Sequence, residues 1–297
     1  MLELILLVVI VTLLAFPLGK YLAAIMHNRT MKIDPLFNWI EKPIYAILGT
    51  NPKQGMNVQT YILSFIFSCI VIGVVVWALF MVQAWLPFNP NHAPNMSWDL
   101  ALHSMISFLT NTNQQHYSGQ AQLSYLSQMV GIVGLQVITP MMGLAMVVAT
   151  VRALFFDRSN EQTATTSHSS DESFTAKMKS INVGNYWADV IRPTFRFLLP
   201  ICMVWALFLN SQGVPATFQG GPDVQVVDQT AELKTQKIPL GPVAPMVAIK
   251  QLGSNGGGWY GPNSAVPLEN PTPFSNFMEM LAILLIPVSV IFMLGFF

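Results

Sequence analysis

Long apolar runs separated by short polar segments dominate this chain. Five runs are long enough to cross a bilayer as helices, roughly 2 to 26, 60 to 86, 123 to 151, 189 to 210 and 274 to 297. About 20 apolar helical residues cover a hydrocarbon core about 30 Å thick. The first run, LELILLVVIVTLLAFPLGKYLAAIM, reads as a spanning helix rather than a leader peptide. It opens on Glu3 instead of basic residues, and Pro17 and Lys20 interrupt its apolar stretch. Pro140, Pro200 and Pro287 lie inside later runs, where prolines are tolerated as kinks.

Two further segments are apolar but too short to cross. In MSWDLALHSMISFLTNTNQQHYSG, residues 96 to 119, Ser97 is placed to cap a helix and Asp99 sits in its first turn, where a negative charge suits the helix dipole. The helix predicted from there to Leu109 reaches only about halfway through a bilayer at about 1.5 Å per residue. In LGPVAPMVAIKQLGSNGGGWYGPNS, Pro242 or Pro245 starts a second short helix ending near Leu252. Each half-helix lies between two spans, so a unit of helix, half-helix with polar loop, and helix occurs twice. Laying LTNTN (109 to 113) over GSNGG (253 to 257) pairs Thr110 and Asn111 with Ser254 and Asn255, and LSYLSQM at 123 to 129 then parallels FSNFMEM at 274 to 280.

Composition agrees with a membrane protein. The chain has 297 residues, 53% hydrophobic and 9% charged, with a mean hydropathy of +0.50. Between Lys53 and Arg152 the only Asp, Glu, Lys or Arg is Asp99. A net charge of zero gives nucleic acid no electrostatic foothold. Arg29, Lys32, Lys42 and Lys53 in the loop 27 to 59, and Arg152, Arg158, Lys177 and Lys179 in 152 to 188, with Arg192 and Arg196 just beyond, predict that both loops are cytoplasmic. The segment 87 to 122 has no Lys or Arg, and Lys234 and Lys237 in 211 to 242 are balanced by Asp223, Asp228 and Glu232, so the N-terminus is expected outside. SNEQTATTSHSSDESFTAK reads as a flexible linker, and 159 to 180 as an insertion. Trp85, Tyr186 and Trp187 fall at span ends, where aromatic rings favour the interface. Cys69 and Cys202 lie in apolar runs and read as small hydrophobes.

The run Gly256, Gly257, Gly258 forfeits packing and loses the most backbone entropy of any residue type. Irregular backbone survives at membrane depth only where protein buries it or it lines a watery path. Carbonyls and Ser/Thr hydroxyls along such a path can replace the hydration shell of a potassium ion, and glycine permits the backbone conformations this requires. Each half-helix also aims its negative C-terminal end at its loop, favouring a cation there. His103 and His116 flank the first loop and read as structural residues; Asp99 reads as a capping charge. Lys250, a cation beside the second loop, needs an acid, with Glu269 and Glu279 as candidates.

SFLTNTNQQHYSG with SWDLAL before it, and AIKQLGSNGGG followed by NPTPFSNFMEMLAILLIP, resemble the KdpA family, the potassium-binding subunits of the bacterial Kdp potassium-transporting ATPase. GNYWADVIR (184 to 192) and GPVA (241 to 244) extend the resemblance from the first span to the end of the chain. It implies an all-α polytopic membrane protein of the potassium channel-like superfamily, made of repeated helix, pore half-helix with filter loop, and helix units. The expected organisation is an additional N-terminal helix at 1 to 26, a first repeat at 60 to 151, a cytoplasmic loop at 152 to 188 and a second repeat at 189 to 297. It implies ion-binding filter roles for Thr110, Asn111, Thr112, Asn113, Ser254, Asn255, Gly256 and Gly257, with Gln115 and Gly258 beside them and Asp99 and Lys250 nearby. The implied setting is high-affinity potassium uptake across the bacterial inner membrane. A P-type ATPase subunit (KdpB) would carry ATP and Mg, and KdpC and a small KdpF-like membrane subunit would complete the complex; this chain itself would need no cofactor.

The residues carry no paired intramembrane carboxylates, no His pair at metal spacing, no GxxxxGK[ST] and no DKTG phosphorylation motif, so ATP hydrolysis is not expected of this chain. A stand-alone potassium channel or a Trk-like transporter would share the repeated unit, with filter loops expected to read differently from TNTN and SNGGG. Members of the resembling family are nearly twice as long and carry four repeats around one pore, whereas MLGFF stands in the last helix of the second repeat. Half of a four-part filter cannot close a pore, which makes an inactive fragment a further reading. A truncated product is expected ahead of a separately encoded second half or two-fold self-association.

Overall fold

The computed structural model describes residues 1–163, 181–228, 232, 234–261 and 263–296, so most of the expected linker lies outside the described residues. The elements are α1 (Leu2–Met26), α2 (Asp34–Ile47), α3 (Val58–Val82), the half-helix α4 (Trp98–Leu109) and a single turn α5 (Gly119–Gln122). The chain continues with α6, π-helical over Ser127–Val133 and α-helical over Gly134–Thr163. Then comes α7, made of Tyr186–Pro193, a π-helical stretch Thr194–Leu198 and Leu199–Ser211. A small antiparallel ribbon follows, β1 (Asp223–Gln225) with β2 (Thr235–Lys237), in register Val224 to Gln236. The half-helix α8 (Val243–Leu252) and α9 (Pro273–Gly295) complete the order.

Among the described residues five helices are long and apolar enough to cross a membrane, built on α1, α3, α6, α7 and α9. The order long helix, half-helix, long helix occurs twice, as α3–α4–α6 and as α7–α8–α9. Local chemistry fixes several starts: the Asn57 side chain accepts from the Thr60 N–H at 2.8 Å to cap α3, and Thr272 with Ser275 forms a reciprocal capping box ahead of α9, with Pro273 in the first turn. Pro242 occupies the N-cap of α8, leaving Pro245 inside its first turn.

Three differences from the sequence reading stand out. First, the loop 27 to 59 contains a helix, α2. Second, α6 stays helical to Thr163, into the stretch read as linker. Third, Tyr186 is a core residue: its hydroxyl lies 2.6 Å from Ser68 Oγ, and its ring meets Tyr61 edge-on at 5.4 Å. A hydroxyl bonded inside the bundle has no need of the interface; Trp85, by contrast, is exposed as expected.

The additional helix α1 packs along α9, presenting a buried stripe of Leu7, Val11, Ala15, Gly19, Ala23 and Met26. A Cβ at Gly19 would stand 2.6 Å from the Ser289 carbonyl oxygen and 2.7 Å from Phe292 Cβ, so the two backbones meet where only glycine fits. On the face holding the basic loops, Arg152 binds both Asp189 oxygens (2.5 and 3.1 Å) and the carbonyls of Met26 and Val183, tying α6 to α7 and to the end of α1. Both cysteines are free, Cys202 buried and Cys69 half-buried.

Candidate ion-binding site

Both half-helices end in the same way. In α4 the N–H of Asn111 bonds the Phe108 carbonyl and that of Thr112 bonds Ser107; in α8 the N–H of Ser254 bonds Gln251 and that of Asn255 bonds Lys250. Each is a Schellman ending, and its left-handed residue is Asn111 (φ 58°) or Ser254 (φ 51°). The endings therefore superpose Thr110 on Gly253, Asn111 on Ser254, Thr112 on Asn255 and Asn113 on Gly256, one residue away from the pairing that side-chain likeness suggests. Asn113 (φ 55°), Gly256 (φ 151°) and Gly257 (φ 73°) continue with positive φ. Both turns line one cleft of about 560 Å³, with Leu109, Thr110 and Asn111 on one side, Gly253 and Ser254 on another, and Pro140 and Pro287 from the spans.

The loops are braced by amides and hydroxyls. Ser107 Oγ both donates to the Gln114 carbonyl (2.9 Å) and accepts its N–H (2.7 Å). Asn113 Nδ2 donates to Asn111 Oδ1 at 3.1 Å, and the Thr110 and Thr112 hydroxyls lie 3.0 Å apart. Across the two units, Gln115 Nε2 donates to the Gly258 carbonyl at 3.0 Å while its Oε1 accepts the Gly258 N–H at 2.8 Å. These two occupy equivalent places, five residues past Thr110 and Gly253, so one unit's side chain reads the other's main chain. Gln136 Nε2 on α6 donates to the Gly256 carbonyl at 2.9 Å, and Asn255 Nδ2 donates to the Gln136 carbonyl at 2.8 Å. The Gly256 and Gly258 carbonyls thus turn toward protein donors. Ser254 Oγ donates to the Ile283 carbonyl at 3.1 Å, while Thr110, Asn111 and Thr112 are exposed.

The charged candidates stand apart from the cleft. Lys250 is buried and does not line the cleft; it donates to Glu269 and, at 2.6 Å, to Ser264 Oγ in the connection that follows α8. Glu269 also accepts the N–H groups of Tyr260 (3.1 Å) and Ser264 (3.0 Å), so it is the acid that answers Lys250. Glu279 instead accepts from Gln251 Nε2 at 2.6 Å. This network pins the segment 260 to 269 to α8, and burial pushes the Tyr260 hydroxyl up from its ordinary pKa. Asp99 lies at the far end of α4, exposed; the Ser97 hydroxyl and the first backbone N–H groups hold its carboxyl below the usual range. Ser97 is the N-cap by backbone geometry but makes no side-chain cap bond. His103 and His116 pack ring edge against ring face, centroids 4.4 Å apart. Among the described residues no group of three or more His, Cys, Asp or Glu gathers to hold a metal.

Sequence reasoning missed Ser107, Gln136 and Thr139, whose hydroxyl donates to Leu135 O at 2.8 Å and lies 3.4 Å from Asn111 Oδ1. The available signal was their polarity within apolar runs, SMISFL and GLQVITP.

A largely helical bundle with five helices long and apolar enough to cross a membrane, and two half-helices ending at one cleft, is a polytopic membrane protein. The family model for the potassium-transporting ATPase A subunit, KdpA, matches residues 5–297. Curated relatives named potassium-transporting ATPase potassium-binding subunit agree. That of Caldanaerobacter subterraneus subsp. tengcongensis is 40% identical over 293 residues, 99% of this chain and 48% of the relative. Those of Pseudomonas putida (38%, covering 97% of this chain and 46% of the relative) and Clostridium perfringens (39%, covering 97% and 47%) are similar. The chain belongs to the KdpA family, and it spans about half the length of the curated relatives it matches.

Proposed function

We propose that the chain supplies two walls of a potassium-selective filter in an ATP-driven uptake complex. The carrying observation is the repeated Schellman ending of α4 and α8 at one cleft. Each ending directs the negative pole of a half-helix at the same space, which favours a cation. Thr110 and Thr112 supply hydroxyls, and Asn111, Asn113, Asn255, Gly256 and Gly257 shape the turns that present loop oxygens in place of water. Gln115 and Gly258 join the walls, and Lys250 and Asp99 support α8 and α4. The relatives' names, potassium-binding subunit of a potassium-transporting ATPase, support potassium as the ion and a partner that hydrolyses ATP. That partner would be the P-type subunit KdpB, carrying ATP and Mg, with KdpC and a KdpF-like subunit beside it. The basic loops favour an outward-facing filter and an external N-terminus in a bacterial inner membrane. The remaining walls would come from outside the half of the relatives' length that this chain spans.

The test is potassium activation of the complete complex carrying Thr112→Ala or Thr110→Ala. Loss of a hydroxyl ligand raises half-saturating potassium about tenfold, equivalent to about 1.4 kcal/mol. Unchanged potassium dependence in both variants would make these turns structural only.

A further inference from the structure

Helix α2 is amphipathic with its polar side turned inward. Asp34, Asn38, Glu41 and Tyr45, spaced by four, three and four residues, form one stripe facing the bundle. There Arg196 Nε and Nη2 bind Glu41 (2.5 and 2.8 Å), Nη1 binds Asp34 (2.5 Å), and Nη2 reaches Asn38 (3.4 Å). Arg192 stands 4.0 Å from Glu41. The opposite face is apolar: Pro35, Leu36, Trp39, Pro43, Ala46 and Ile47 are exposed, Leu36 to 64%, Trp39 to 69% and Ile47 to 85%. A helix facing water would carry the reverse pattern.

Depth decides what meets that face. Arg192 and Arg196 belong to the spanning helix α7, which begins at Tyr186, so at about 1.5 Å per residue Arg196 lies roughly 15 Å along it. Along this lower part α7 is covered: Ile191, Pro193, Thr194, Arg196, Phe197 and Leu198 are buried. Higher up, Met203, Val204 and Leu207 are open. Phe197 and Leu198 face the bundle core, whereas Arg196 and Arg192 meet α2, which covers their guanidinium groups with Asp34, Phe37 and Glu41 and turns its own apolar residues outward. Lys32 and Lys42 are exposed at its start and on its rim.

We propose that α2 is an interfacial helix seated in the cytoplasmic leaflet, with Leu36, Trp39 and Ile47 among acyl chains and Lys32 and Lys42 at the phosphates of anionic lipid. This rests on the membrane topology and is independent of the potassium filter.

Spin labels on single cysteines at positions 36, 39 and 47, with Cys69 and Cys202 replaced by Ala, test it in the complete complex reconstituted in phosphatidylcholine with and without phosphatidylglycerol. The labels should collide with oxygen and be protected from a water-soluble nickel chelate, while a label at Lys32 shows the opposite. Chelate access at all three positions would place the face in water, and exclusion of both reagents would mean a protein partner covers it; either result overturns the proposal. Spin-labelled phosphatidylglycerol should be immobilised several-fold more than phosphatidylcholine by the parent complex, and that excess should shrink in Lys32→Gln/Lys42→Gln. Equal immobilisation of the two lipids by the parent, or an undiminished excess in the variant, overturns the anionic preference.

Discussion

At the scale of single residues, the second loop depends on backbone directions that side chains resist. Gly256 has φ 151°, yet a Cβ there would meet nothing nearer than Asn113 Cβ at 3.6 Å, so its need for glycine is conformational rather than steric. Gly256→Ala should therefore weaken potassium activation of the assembled complex and its discrimination against sodium; retention of both would make this glycine a plain turn. Gln136→Leu removes the donor to the Gly256 carbonyl, and we expect a loss of about 1–3 kcal/mol in thermal unfolding of the purified protein. The sequence exposed the loops through their glycines and polar runs. It did not expose their register, because hydroxyl and amide likeness pairs Thr110 with Ser254 whereas the helix-end hydrogen bonds pair Asn111 with Ser254. Neither Asn nor Ser demands a left-handed conformation, so nothing in LTNTN or GSN marks where the helix stops.

At the scale of elements, close approach and buried charge are the sensitive features. Gly19→Leu would drive a side chain into the backbone of α9 at Ser289, and overpacking of this kind destabilises by about 1–3 kcal/mol. The check is the melting temperature in detergent, where an unchanged value would mean that α1 can shift without loss. Lys250→Met leaves Glu269 buried without its cation, which destabilises by about 3–5 kcal/mol; adding Glu269→Gln should recover much of it. The same melt measures both, and a double variant no better than the single would show that Glu269 acts mainly through the Tyr260 and Ser264 amides. Spans and half-helices were legible because apolar length is a strong signal. Helix α2 was not, because its charges read as a loop and its partners, Arg192 and Arg196, lie more than a hundred residues further on. Choosing Glu269 over Glu279 for Lys250 likewise depends on loop folding that no local pattern encodes.

At the scale of the molecule, five long helices and two half-helices form a bundle with a cleft lined by the C-terminal turns of α4 and α8. On the proposed division of labour, the purified chain should hydrolyse no ATP in a phosphate-release assay, and potassium-stimulated hydrolysis should appear only with a separate pump subunit. Turnover by the chain alone would overturn that division. The contact between α1 and α9 bears on biosynthesis. From the end of α1 at Met26 to the start of α9 at Pro273 the ribosome must add about 250 residues, which at typical rates takes roughly 12–50 s. Throughout that interval α1 resides in the membrane with its Gly19 stripe unmatched. The contact between α1 and α9 can therefore form only once α9 leaves the translocon, and until then the nascent chain offers this stripe to insertases and quality-control proteases.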